Sequence, residues 1–151
     1  MSVDMNTYEI IPENSTIAVE LGRAINPVLA IGQIEGGTLQ SYGWANTEYL
    51  GLSNDGKYTA GHLSEYAIPT MLDSPSFDVE LLEDPCVFGA EGAKGVSELP
   101  MNGGAPALAA AVQNATGVFA KKIPLSGEYL FSLIEKSMEE SDGTDEKGVS
   151  R

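Results

Sequence analysis

The sequence predicts an α+β fold on three observations. The first two dozen residues carry apolar side chains at strand spacing, residues 28–50 keep a rough helical period through several glycines, and residues 105–115 are an alanine-dominated run. A strand puts every second side chain on one face, whereas a helix puts positions three and four apart on one face, so the two patterns separate the element types. Strands and helices are mixed and no internal repeat occurs, which favours α+β. At 151 residues and 42% apolar composition the chain is long enough for one domain with a modest core.

Tyr8 and Ile10 mark a short strand, Pro12-Glu13-Asn14 a turn, and Ile17, Val19 and Leu21 a second strand over residues 15–21. Asn26-Pro27 stops that run, because the residue before a proline is pushed out of helical geometry. Ile31, Ile34, Leu39, Tyr42, Ala45 and Tyr49 then suit a helix over residues 28–50, interrupted by Gly32, Gly36, Gly37 and Gly43. Each glycine costs about 1 kcal/mol relative to alanine. A sequence retains them where a neighbouring element or a ligand must come close, and both readings stay open here. Residues 51–59 form a polar turn around Asn54-Asp55-Gly56, residues 66–69 an extended run, and residues 78–82 a strand carrying Val79 and Leu81. Five glycines between 89 and 104 predict a long loop. The alanine helix follows, with Pro106 in its first turn and Gly117 as its cap, and a last helix starts at Ser126 and carries Leu130, Leu133 and Ile134. Residues 1–136 are the expected ordered body. The acidic, apolar-poor segment 137–151 is expected to be disordered.

Charge and composition exclude several function classes. Twenty-two acidic against eight basic residues leave a net charge of −14, which repels nucleic-acid phosphates and anionic lipid headgroups. Neither nucleic acid nor membrane is an expected partner, and no run approaches the roughly 20 apolar residues of a membrane span. The N-terminus lacks a basic region followed by an apolar one, and the single Cys86 suits a reducing compartment, so the protein is expected to be cytoplasmic. One cysteine forms no internal disulfide and cannot alone hold an iron–sulfur cluster or zinc. His62, the only histidine, has no second His or Cys beside it and reads as a surface or hydrogen-bonded residue, so no metal ligand is assigned. Without a Gly-x-Ser-x-Gly turn or an activating partner for Cys86, a nucleophile triad has no support.

Residues 89–98, Gly-Ala-Glu-Gly-Ala-Lys-Gly-Val-Ser-Glu, are the most informative stretch. Its glycines permit tight turns and can present N–H groups to an anion, although the run matches neither a P-loop nor a dinucleotide fingerprint. Glu98 leaves this turn against an apolar pair, Leu99-Pro100. A carboxylate there can serve as a base, or it can be an ordinary solvated glutamate; spacing does not decide.

Five segments in a fixed order resemble the molybdenum hydroxylases, the family of xanthine dehydrogenase and aldehyde oxidase. They are Gly22-Arg23-Ala24-Ile25-Asn26-Pro27; Gly32-Gln33-Ile34-Glu35-Gly36-Gly37 with Gln40, Gly43 and Glu48; Tyr66-Ala67-Ile68-Pro69-Thr70 with Asp73-Ser74-Pro75; Gly92-Ala93-Lys94-Gly95-Val96-Ser97-Glu98; and Ala105-Pro106-Ala107 with Ala115-Thr116-Gly117. The resemblance covers residues 15–130 and implies the C-terminal portion of a molybdenum-cofactor-binding domain. It implies hydroxylation of a purine or other N-heteroaromatic substrate with water at a molybdenum–molybdopterin centre, the cytosine dinucleotide form being one option. Glu98 takes the position of the catalytic base. Gln33 and Gly32 take the segment that approaches the cofactor, with Lys94, Gly95, Val96 and Ser97 in the loop beside it. The family usually has glycine where Ser97 stands. If that position needs a positive φ, serine costs about 1 kcal/mol or more. The resemblance also implies partner chains: the remainder of the molybdopterin-binding chain, an iron–sulfur subunit with 2Fe–2S clusters, and a FAD subunit. A catalytically degenerate structural module of the same fold is the alternative.

Overall fold

The structure, a computed structural model, describes residues 1–145, with side chains through residue 140. In chain order the elements are β1 (Ser2–Val3), β2 (Ile10–Ile11), β3 (Asn14–Glu20), α1 (Pro27–Asn46), β4 (Ser76–Leu82), a 3-10 turn at Ala90–Gly92, α2 (Met101–Thr116) and α3 (Gly127–Asp145). β1 and β2 form a small antiparallel pair. β3 and β4 pair in parallel, from Asn14 opposite Ser76 to Glu20 opposite Leu82. Parallel strands need a crossover, and α1 with the loop after it supplies one.

β3 alternates as its sequence requires: Ser15 and Val19 are buried and the residues between them are not. The buried Ser15 hydroxyl is matched by the Tyr42 hydroxyl at 2.7 Å, so a polar group inside the fold is satisfied. α1 opens on Asn26, whose Oδ1 accepts from the Leu29 N–H at 3.2 Å, with Pro27 at the first helical position. It ends at Asn46, four residues before the periodicity does. There the Thr47 hydroxyl donates to the Ala67 carbonyl at 2.7 Å and the Tyr66 hydroxyl to Glu48 Oε2 at 2.7 Å, drawing the chain away to the 66–69 segment.

Two apolar clusters hold the chain together. The larger joins Ile10 to Tyr42 and Ala45 of α1, Leu108 and Val112 of α2, Leu125, and Leu130 and Ile134 of α3. The smaller, beneath the candidate site, is Val19, Leu21 and Ile34 with Val79, Leu81 and Val96 against it. α1 and α2 pack closely because Gly104 lies against Ser41 and Gly37 against Pro100.

Two further expectations change. α2 begins at Met101 and not at residue 105, so Gly103 and Gly104 are helical and Pro106 falls in the second turn. The Met101 N–H bonds the Glu98 carbonyl at 3.1 Å and Asn102 that of Leu99 at 3.2 Å, starting the turn early despite the glycines. Contact with α1 outweighs the low helix propensity there. The last helix runs on to Asp145 past the boundary drawn at 136. Charged residues deny this segment a core, but Met138, Glu139 and Glu140 are good helix formers, and Lys136 faces Glu140 one turn on at 4.0 Å. The rest of the expected acidic tail, 146–151, lies outside the described residues.

Candidate functional site

The site is assembled where the end of β3 meets the loop between β4 and α2. Gly22 bridges Ala93, and the Lys94 N–H donates to the Leu21 carbonyl at 2.9 Å. The Arg23 and Cys86 N–H groups both donate to the Gly92 carbonyl at 2.9 Å. Gly22 has φ of 70°, and a Cβ on it would collide with that same carbonyl, so glycine is required on both counts.

Side chains tighten the junction. Glu20 accepts from the Gly22 N–H through Oε1 and from Lys94 Nζ through Oε2, each at 2.7 Å. The hydrogen bond from Lys94 holds the Glu20 carboxyl below its ordinary pKa, and Glu20 in turn raises that of Lys94. Arg23 lies 3.4 Å from Glu91, an exposed pair of little energetic consequence. Val96 turns inward onto the smaller core cluster and seats the loop from below. Glu20 has no role in the sequence reading. An exposed glutamate at a strand end gives no local signal when its partner lies 74 residues away.

From this seat the chain presents Gly95, Ser97 and Glu98 to the outside. Gln33 reaches across from α1 and donates Nε2–H to the Ser97 carbonyl at 2.6 Å. Ser97 and Glu98 are exposed, and among the described residues the Glu98 carboxylate has no hydrogen-bond or ion-pair partner. The peptide N–H groups of residues 95–98 likewise take no acceptor among the described residues. Ser97 does not have a positive φ; among the described non-glycine residues only Tyr8 and Glu91 do, so the strain considered for serine does not arise.

Of the seven residues singled out in the sequence, Gln33, Ser97 and Glu98 are therefore brought together. Gly32 adjoins Gln33, and a Cβ on Gly32, Gly36 or Gly95 would meet nothing within 4 Å. Lys94 points to Glu20. Cavities of about 380 and 670 Å³ lie elsewhere, and neither is lined by Gln33, Ser97 or Glu98. The site is an open face. Its open glycines and unpaired N–H donors fit a large, acceptor-rich group such as a molybdenum–pterin cofactor. No helix among the described residues is long and apolar enough to cross a membrane.

A family model described as a molybdopterin cofactor-binding domain matches residues 1–75. The probable hypoxanthine oxidase XdhD of Escherichia coli (strain K12) is 31% identical over 137 residues, covering 90% of this chain and 14% of that protein. A probable xanthine dehydrogenase subunit of Bacillus subtilis (strain 168) is 31% identical over 136 residues, covering 90% of this chain and 18% of that one. Among solved structures, quinoline 2-oxidoreductase from Pseudomonas putida 86 matches with a TM-score of 0.83 at 30% identity, over 89% of this chain and 17% of that one. The chain thus spans less than a fifth of the length of these relatives. With the family model, the relatives and the fold in agreement, the chain belongs to the molybdenum hydroxylases, an oxidoreductase family, and forms part of their molybdopterin cofactor-binding region.

Proposed function

We propose that this chain supplies one wall of a molybdenum–pterin hydroxylation centre, with Glu98 as its general base. The observation that carries this reading is the presentation of Glu98: an exposed carboxylate without a partner among the described residues, on a loop stitched to β3 on one side and to α1 on the other. Hydroxylation with water turns a C–H bond into C–OH and releases two protons and two electrons. The bound molybdenum–pterin group supplies the two-electron redox chemistry. Glu98 accepts a proton at its carboxylate as the new C–O bond forms, which is general base catalysis. Gln33, Gly32, Gly95 and Ser97, with the N–H groups of residues 95–98, bind and orient the cofactor beside it, the molybdopterin carrying a cytosine dinucleotide extension in one form. Lys94 and Val96 hold the loop in place.

Because the site is an open face, enclosure and exclusion of water fall to other parts of the assembly. These are the remainder of the molybdopterin-binding region, an iron–sulfur subunit and a FAD subunit, in the cytoplasm. A purine or another electron-poor N-heteroaromatic is the substrate class. The relatives' names, hypoxanthine oxidase, xanthine dehydrogenase and quinoline oxidoreductase, support this choice. Against a degenerate module, the absence of a positive φ at Ser97 removes the strain that would have supported it.

Glu98→Gln tests the reading in the complex that contains this chain. It is expected to keep assembly, molybdenum and pterin but to lose turnover by about 10²- to 10⁴-fold. Most activity retained in this variant removes Glu98 from the mechanism. Purification of the native chain as a metal-free, pterin-free monomer supports the degenerate module.

A further inference from the structure

We propose that Gln33 is a positioning residue for Glu98, acting through the Ser97 carbonyl. This inference rests on the reading of Glu98 as the base. The Ser97 carbonyl and the Glu98 N–H belong to one peptide unit, and that unit is planar. The 2.6 Å hydrogen bond from Gln33 therefore fixes the plane on the N-terminal side of Glu98. The plane on its C-terminal side is fixed as well, because the Glu98 carbonyl accepts from the Met101 N–H at 3.1 Å. With both planes held, φ and ψ of Glu98 are set, and so is the direction of its Cα–Cβ bond. The carboxylate has no partner of its own among the described residues, so its placement depends on this backbone frame.

The frame is anchored in packed structure. Ile34, the neighbour of Gln33, is fully buried in the smaller core cluster, and Val96, just before Ser97, packs on the same cluster. Donor and acceptor are thus held by one apolar cluster. The nitrogen end of the Gln33 amide faces the loop, since a carbonyl can only accept; Oε1 and one N–H are left directed elsewhere.

The test is a double-mutant cycle in the complex containing this chain, with Gln33→Glu, Glu98→Gln, the pair, and Gln33→Lys. Glutamate matches glutamine in shape but has no N–H to donate; lysine restores a donor. Rates are read as kcat and KM and as single-turnover reduction by substrate, alongside molybdenum and pterin content. Gln33→Glu is expected to lower kcat per bound molybdenum about 10- to 100-fold. It is expected to add nothing in the Glu98→Gln background, and Gln33→Lys should recover most of the loss. Losses that multiply, an unchanged kcat per bound molybdenum in Gln33→Glu, or a crystal structure of that variant with the 97–98 peptide plane unmoved would each overturn the proposal while leaving Glu98 as base. Full activity in Glu98→Gln alone removes both.

Discussion

Gly103 and Gly104 are adjacent in α2, yet alanine should act on them with opposite sign. A Cβ at Gly104 would stand 2.6 Å from Ser41 Cβ, 2.7 Å from its Oγ and 3.3 Å from the Thr38 carbonyl. Ser41 cannot move aside freely, because its hydroxyl donates to the Met101 carbonyl at 2.7 Å and accepts from the Ala105 N–H at 2.8 Å. It is also fully buried. Overpacking costs about 1–3 kcal/mol, and the two hydrogen bonds about 1 kcal/mol each. Against these stands a gain of about 1 kcal/mol in helix propensity, leaving Gly104→Ala destabilised by roughly 2–4 kcal/mol. Gly103 has nothing within 4 Å of the added carbon, so Gly103→Ala retains the gain alone, about 1 kcal/mol. For a chain of this size that is a fall in Tm of about 4–16 °C in the first variant and a rise of about 2–4 °C in the second. Thermal unfolding by circular dichroism reads both. A Gly104→Ala protein as stable as Gly103→Ala would refute the close α1–α2 packing on which the position of Met101, and hence of Glu98, depends.

Glu20→Gln should change the pH dependence of stability on the acid side. The Glu20 carboxyl is held below its usual value, near 4.5, chiefly by the Lys94 hydrogen bond, so its contribution is present above that value and is lost as pH falls through the lowered one. Urea midpoints between pH 7 and 3 should show wild type and variant converging; a gap that stays constant contradicts the pairing. Ile34→Ala should cost about 2–5 kcal/mol by opening a cavity under the loop, since Ile34 has no exposed surface. A loss under 1 kcal/mol in denaturant titration would show that the smaller cluster does not bear on stability. Asn26→Ala should weaken α1 by about 0.5–2 kcal/mol through loss of the cap on the Leu29 N–H, read in the same titration, whereas an unchanged midpoint means the cap is idle.

Local chemistry made several elements legible. Asn26-Pro27 opens α1 as a cap and a first-position proline should, Ser126 accepts from the Tyr129 N–H at 3.2 Å as the N-cap of α3, and Gly117 closes α2 in the left-handed region. The alternation of β3 was readable for the same reason, since all its information lies within seven residues. The start of α2 was not. Helix propensity predicts a loop through Gly103 and Gly104, and only the approach of Ser41, more than sixty residues away, makes glycine the residue that fits inside a helix there.

The candidate site divides along the same line. The Gly92–Glu98 motif identified the loop and its carboxylate, and Gly32-Gln33 identified the facing helix turn, because each is a contiguous string of residues. What the linear order does not contain is that the two meet, that Gln33 takes the Ser97 carbonyl, or that Glu20 at the end of β3 holds Lys94. The sequence by itself therefore determined the segments, their caps and the chemistry available to them. The tertiary structure alone decided the parallel register of β3 with β4 and the reach of Gln33 to the Ser97 carbonyl. Both are pairings between groups some 60 or more residues apart, set by which apolar faces share a core and not by any preference of the neighbouring residues.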